Sequence, residues 1–343
     1  LLAGETLVLG GAGSLLAAEA LGGESEGEPN HTRPDRRQWL FAAYALNPLV
    51  IVETAWSGHI DVLAWSLVAA GLLVWERRRR LGGSLVAGAL VGASIAVKVL
   101  AVFALPLMLL DARRRASVRL AGPLAAVVLV VLTYLPLADA GAQLFGGFGT
   151  YADSWRGNDG LYRASRALGS EALHRWTPSQ PSDGDQLLFR FDRLDGLFRR
   201  LGWTERWQGE TIPATTFAAD ELADLLAKAA GAVAVGLALL WCVILGLAPL
   251  RGFAILVGTL YLVAPVLHPW YVAWLIPFAA ATRSRALLVF GASVLLGYLA
   301  WLSAEHGGDW SVPTAAVVVE YGLVVATAYL DTIRGQSILL PPE

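Results

Sequence analysis

The sequence predicts an all-α, polytopic transmembrane helical bundle with two hairpins of short helices and one long loop beyond the membrane. Three observations carry that expectation. The 343-residue chain is 56% hydrophobic and only 16% charged, against about 25% charged in soluble domains, and its mean hydropathy is +0.55. Long stretches hold no Asp, Glu, Lys or Arg, among them the 31 residues from Gly252 to Thr282. The short loops between such stretches are marked by arginine at regular intervals.

A helical span needs about 20 apolar residues. Leu120 to Ala138, Ala229 to Leu250 and Ala286 to Ala304 are uncharged, and Val312 to Leu330 is interrupted only by Glu320. Upstream, Thr6 to Leu21, Trp39 to Ser57 and Ile60 to Trp75 read as three more spans. Leu85 to Leu110 and Gly252 to Thr282 are too long for one helix and short for two, so each reads as a hairpin. The positive-inside rule orients the set. Arg33, Arg36 and Arg37, Arg77 to Arg80, Arg113 to Arg115 with Arg119, Arg251, Arg283 with Arg285, and Arg334 all fall on the cytoplasmic side. Gly58-His59-Ile60-Asp61, the turn at Lys98, the 139–221 loop, His268-Pro269-Trp270-Tyr271 and His306 to Asp309 then emerge on the outer face. The chain divides into an N-terminal membrane part (1–138), the outer loop (139–221), a C-terminal membrane part (222–334) and a cytoplasmic tail (335–343).

The long loop has patterning of its own. Leu187, Phe191, Leu194, Phe198 and Leu201 recur at helical spacing within Gln186 to Trp203, with Arg190, Arg193, Arg199 and Arg200 on other faces. That predicts a basic amphipathic helix, lying either among lipid headgroups or within a small subdomain. Ahead of it, Tyr151, Trp155, Asn158, Asp159 and Tyr162 form an aromatic and polar cluster of the kind that holds carbohydrate or sits at an interface.

Several function classes are excluded or disfavoured. A net charge of −2 gives no argument for nucleic acid. Cys242 is the only cysteine, so there is neither an intrachain disulfide nor a cysteine metal site. No P-loop, GxGxxG, HExxH or CxxC pattern occurs, which disfavours a nucleotide-driven pump or a zinc protease, and no metal cluster is expected. Arginine outnumbers lysine heavily, Lys98 and Lys228 being the only lysines, a bias of GC-rich bacterial genomes. The chain starts on Leu1 rather than Met, which reads as a start inside a longer protein.

The chemistry-bearing residues are those costly to keep in such surroundings. Asn47-Pro48 falls within a span, where Pro48 frees backbone groups and kinks the helix. Glu53 follows, and a carboxylate in a membrane helix marks a functional site by default. His59 and Asp61 come next, able to contact sugar hydroxyls or a phosphate; alternatively Asp61 caps the following helix. Lys98 sits mid-hairpin, where an ammonium costs a few kcal/mol. It binds a phosphate as a point charge, snorkels to headgroups, or pairs with Glu53 or Glu320. His268, Tyr271 and Trp274, beside Pro269 and Pro277, make either a hydrogen-bonding and stacking site or part of an interfacial aromatic belt. A belt does not need the histidine. Glu320 is either a partner for an intramembrane base or a solvated residue in a cavity, and His306, Asp309 and Trp310 read as an ordinary outer loop.

The order of these motifs carries a family resemblance. Asn47-Pro48, then Gly58-His59-Ile60-Asp61, a basic turn, Lys98 with Leu105-Pro106, and His268-Pro269-Trp270-Tyr271-Val272-Ala273-Trp274 together resemble bacterial GT-C-type glycosyltransferases. The nearest group is family 87, the polyprenol-phosphate-mannose-dependent mannosyltransferases. The likeness runs over most of the chain and is least over 170–220. It implies a hexosyltransferase of the bacterial plasma membrane and cell envelope. The enzyme would move a hexose, mannose by the resemblance, from a polyprenyl-phosphate donor to a glycan or glycolipid acceptor on the extracytoplasmic face, without nucleotide or cofactor. It also implies an acidic general base in an early outer loop and transfer with inversion. That base matches a position ahead of Leu1, with Asp61 the alternative within the chain. Lys98 and His268 would stabilise the leaving phosphate, Tyr151, Trp155, Tyr271 and Trp274 would hold the sugar by stacking, and the Gly82 to Gly92 face would offer a groove to the lipid tail. A transporter or flippase of lipid-linked sugars is the competing class, since it too uses broken helices and an embedded cation. A non-catalytic polyprenyl-lipid scaffold is a third.

Overall fold

The computed structural model describes residues 44–145, 157–176, 188–190, 200, 204–207, 210–213, 216–282, 284–307, 311–335 and 338–339. The predicted span Thr6 to Leu21, and with it Tyr151, Trp155, Asp309 and Trp310, lie outside these.

The first membrane unit is built from Asp61–Arg77 (α1) and Leu81–Val97 (α2), joined by the three arginines 78–80. At Lys98 the backbone becomes extended. The chain then returns as a 3-10 turn, Val99–Phe103, and a short helix, Ala104–Leu109 (α3). The stretch from Leu85 to Leu110 is therefore the hairpin its length predicts, with Lys98 at the apex. Ala116–Tyr134 (α4) packs along α2. A Cβ on Gly88 would fall 2.0 Å from the Gly122 carbonyl oxygen, and one on Gly92 2.7 Å from that of Ala126. These glycines exist to let two backbones approach, as small residues do between membrane helices. The expected lipid groove along Gly82 to Gly92 is thus corrected: Gly88 and Gly92 are covered by α4, while Gly82 alone of the four faces open space.

Gly160–Trp176 (α5) lies beside Ala219–Ile244 (α6). Between them come four short strands, Leu188–Arg190 (β1), Thr204–Trp207 (β2), Glu210–Pro213 (β3) and Thr216–Ala218 (β4). They pair antiparallel as β1 with β4, Leu188 opposite Ala218, and β2 with β3, Thr204 opposite Pro213. The single amphipathic helix expected over Gln186 to Trp203 is not what forms at Leu188–Arg190. Partner strands rich in Thr, Ile and Phe favour pairing, and so few apolar repeats do not separate helix from strand. Among the described residues the bundle is built of helices joined by short turns.

The second unit mirrors the first in style. Pro249–Val263 (α7) reaches an irregular apex at 264–268, and the chain returns through Pro269–Val272 (α8), a 3-10 turn Ala273–Leu275 and Ile276–Thr282 (α9). Arg285–Ser293 (α10), a 3-10 turn Val294–Tyr298 and Leu299–Glu305 (α11) form one long crossing, and Thr314–Ile333 (α12) another. Among the described residues four helices are long and apolar enough to cross a membrane: Ala116–Gly141, Ala219–Ile244, Arg285–Glu305 and Thr314–Ile333. Leu120, Leu124, Leu132, Val233, Leu237, Val318 and Leu323 lie exposed on them, an outward apolar face suited to lipid tails and not to water. Trp65, Trp75, Trp274, Phe253, Phe278 and Phe290 fill the interior.

The arginine-bearing loops gather at one end. Trp75 Nε1 donates to Asp111 Oδ2 at 3.0 Å, Arg114 Nη1 to the Arg78 carbonyl at 2.8 Å, and the Leu250 N–H to Glu76 Oε1 at 2.9 Å. Arg285 pairs with Asp331 at 2.8 Å. From this end α1, with 17 residues and so about 25 Å long, carries its first residue, Asp61, to the opposite end.

One predicted span needs correction. Over its described part, residues 44–57, the span expected from Trp39 to Ser57 is not a continuous helix kinked at Pro48. Asn47 is an N-cap whose Oδ1 accepts from the Leu49 N–H at 3.0 Å, and Pro48 occupies the first helical position, where its missing N–H costs nothing. A new short helix starts there and widens into a π-helical turn, Ile51–Trp56.

Candidate functional site

At the end opposite the arginines, the start of α1 and the apices of both hairpins converge. Asp61 opens α1 but does not cap it, and the preceding Ile60 supplies no side-chain cap either. Its Oδ1 instead accepts from Lys98 Nζ at 2.5 Å and from Trp274 Nε1 at 2.8 Å. The partner of Lys98 is therefore Asp61, not Glu53 or Glu320. The ammonium side chain is 31% exposed and the carboxylate 3%, so the positive member faces outward and the negative one is its buried strut. Nζ also sits 5.0 Å from the centre of the Tyr271 ring, a cation–π distance.

A stack of rings adjoins the ion pair. His268 lies on Trp270 with centroids 4.2 Å apart and planes 8° from parallel. His59 lies 4.8 Å from the same indole. Tyr271 meets His268 edge-on at 5.5 Å and stacks on Tyr261 at 6.2 Å. Pro269 sets the geometry: it starts α8 immediately after the extended His268, so three aromatic residues project from one turn and its entry.

Beneath the rings is a second carboxylate. Glu53, on the π-helical turn, is wholly buried. It accepts from the Tyr298 hydroxyl, and His59 Nδ1 lies 3.2 Å from its Oε2 without the alignment of a hydrogen bond. Extra-wide turns recur at functional sites. The chain returns through Gly58 at φ +64°, a conformation that suits glycine, and brings the His59 ring back over Glu53.

A third wall comes from the loop before α5. The Gly157 N–H donates to the Pro265 carbonyl at 3.3 Å, and the Leu267 N–H to Gly157 O at 2.9 Å, fastening residues 157–159 to the second apex. Asn158, 1% exposed, donates through Nδ2 to both oxygens of Glu320 at 3.1 and 3.0 Å. The Tyr321 hydroxyl donates to its backbone oxygen at 3.0 Å. Glu320 is thus not solvated, and among the described residues its partner is Asn158 and not a base. Gly157, Asn158, Leu267, His268, Trp270, Gly297, Tyr298, Trp301 and Val312 line a mostly apolar cleft of about 200 Å³.

Of the residues singled out in the sequence, Glu53, His59, Asp61, Lys98, His268, Tyr271 and Trp274 come together. Trp274 does so in a different role. It is fully buried and its indole N–H is spent on Asp61, so it positions that carboxylate and offers no face to a sugar. His306 is exposed and bonds its own helix at the Leu302 carbonyl. Sequence reasoning missed Tyr298 and Tyr261, each within an uncharged run with no local polar signal, and it left Trp270 inside a motif without a role.

Two family models match the chain: alpha-(1->6)-mannopyranosyltransferase, N-terminal domain, over residues 28–114, and MptB C-terminal domain over residues 212–331. Together they span more than half of it. The chain belongs to the alpha-(1->6)-mannopyranosyltransferase family. It is accordingly a mannosyl-transfer enzyme of the membrane, in agreement with the family 87 resemblance. The N-terminal match holds Glu53, His59, Asp61 and Lys98; the C-terminal match holds His268, Trp270, Tyr271, Trp274, Tyr298 and Glu320. Each matched segment of this mannosyltransferase therefore supplies half of the site, and Asn158 comes from between them. No curated protein and no solved structure matches the chain.

Proposed function

We propose that the enzyme transfers mannose from a polyprenyl-phosphate donor to a glycan or glycolipid acceptor on the extracytoplasmic face of the bacterial plasma membrane. The observation that carries this reading is the Lys98 ammonium, held outward by buried Asp61 and set beside the Tyr271, His268 and Trp270 rings, at the end away from the arginine loops. An ammonium has three donors. Asp61 and Tyr271 together leave Lys98 able to give at least one to a phosphate oxygen. The exposed residues next in sequence to this pair, Ile60 and Val99, with Val102 one turn on, are apolar. They form the path for a prenyl chain whose phosphate stops at Lys98, replacing the groove expected at the α2 glycines.

In this reading the acceptor oxygen bonds to the anomeric carbon as the bond from that carbon to the phosphate oxygen breaks. Its electron pair leaves with the polyprenyl phosphate, and configuration inverts. Lys98, with His268 beside it, stabilises the charge on the leaving phosphate. The acceptor proton passes to a carboxylate acting as general base, as the family resemblance implies. Asp61, whose Oδ1 already meets two donors, is assigned in this reading to positioning Lys98. The chain needs no cofactor beyond the lipid-linked donor. The test is reconstitution in vesicles with either polyprenyl-phosphomannose or a nucleotide-linked mannose. Transfer from the lipid donor alone is expected; transfer from the nucleotide sugar alone would reject the proposal.

A further inference from the structure

Asn158 combines features that packing does not account for. It is a non-glycine residue at φ +49°, a left-handed conformation that only a few per cent of such residues adopt and that Asn tolerates best. Its amide is aimed by Glu320: Nδ2 donates to both carboxyl oxygens, and the carbonyl side takes the other direction. That Oδ1 is buried and accepts no hydrogen bond, although a buried acceptor without a partner costs about 1–3 kcal/mol. The residue borders the cleft formed with His268, Trp270, Tyr298 and Trp301. Gly297 keeps the place open, since a Cβ there would stand 3.3 Å from Nδ2 of Asn158.

We infer that this cleft is a hexopyranose subsite in which Asn158 Oδ1 accepts a hydrogen bond from a sugar hydroxyl, with Glu320 as the residue that positions the amide. The cleft supplies what one sugar ring requires: an aromatic wall for the C–H face and a directed acceptor for a hydroxyl. Its volume is below the range of about 300–1,000 Å³ for drug-sized ligands and is of monosaccharide scale. The inference builds on mannosyl transfer by the family, but not on the polyprenyl donor or the side of the membrane.

The experiment is titration of the purified full chain in nanodiscs with methyl α-mannoside, read by saturation-transfer NMR. Wild type is expected to bind. Asn158→Gly, which keeps the positive φ and removes the acceptor, should weaken binding at least fivefold. The double variant Asn158→Gly with Glu320→Gln leaves no buried carboxylate unpaired, and the same weakening in it separates lost recognition from lost folding. Absence of mannoside binding in wild type, or unchanged affinity in the double variant, would overturn the subsite. Steady-state kinetics then assign the ring: a raised KM for the donor alone places the transferred sugar in the cleft, and for the acceptor alone the receiving sugar. A change in neither overturns the inference. Because the mannoside titration uses no lipid-linked donor, failure of the polyprenyl-phosphate reading leaves this result intact, and the reverse also holds.

Discussion

Lys98 and Asp61 divide one task between them, and substitution can tell their parts apart. Replacing Lys98 by Met removes the outward charge while keeping the stem, so turnover should fall by at least about tenfold, as for other lost transition-state donors. His268→Ala should act in the same direction. Asp61→Asn leaves an oxygen for Lys98 and Trp274 to bond and should cost less than Lys98→Met. Loss of a general base costs about 10²–10⁴-fold; a fall of that size in Asp61→Asn, with normal thermal unfolding, would return Asp61 to the role of base. Single-turnover rates of the three variants decide. These residues were legible in the sequence because a charge or histidine is costly within an uncharged run. Tyr298, which bonds Glu53 across 245 residues, was not, and Asn158 was legible as a member of an aromatic and polar cluster but not as the partner of Glu320 162 residues on. These pairings arise only when distant helices are brought together, and nothing in the immediate neighbours of Tyr298 marks it.

The hairpins show what length alone can reveal about an element, and the glycine face shows where it stops. An apolar run too long for one crossing and too short for two must turn inside the bundle, and both such runs do so, at Lys98 and at 264–268. A face of small residues on α2 has no such single outcome, because it serves a lipid tail or a neighbouring helix equally well. The close approaches at Gly88 and Gly92 settle it for the helix. Gly88→Val should therefore overpack the contact with α4 and destabilise the protein by about 1–3 kcal/mol. Gly82→Val, with nothing within 4 Å of its Cβ, should be nearly neutral apart from intrinsic propensity. Thermal unfolding in detergent compares them directly, and equal midpoints would mean that the two helices are not joined through these glycines. Residues 188–190 failed the other way: helical spacing over a few apolar positions was overridden by a strand partner at 216–218.

At the scale of the whole molecule, the two ends of the bundle have different chemistry and should respond to different probes. The arginine end is an ion-pair clamp. Burial alone would raise the Asp111 carboxyl, but hydrogen bonds from Arg113 and Trp75 outweigh it and hold the group below its usual range. A carboxylate lowered in the folded state contributes stability above its unfolded pKa of about 3.9 and loses it as pH falls through the folded value. Asp111→Asn should thus lower the unfolding midpoint at neutral pH and flatten its decline below about pH 4. A parallel decline in both proteins would remove Asp111 from the clamp. The other end decides function, since a lipid-linked donor presented outside the cell can be used only if Lys98 faces there. In a Cys242→Ser background, which removes the single, buried cysteine, Ile60→Cys and Arg79→Cys place exposed thiols at opposite ends of α1. A membrane-impermeant maleimide added to intact cells should label the cysteine at 60, and label that at 79 only after permeabilisation. The inverse pattern would put Asp61, Lys98 and the histidine–tryptophan stack on the cytoplasmic side. It would then overturn the extracytoplasmic reaction while leaving the mannosyltransferase family and the sugar cleft in place.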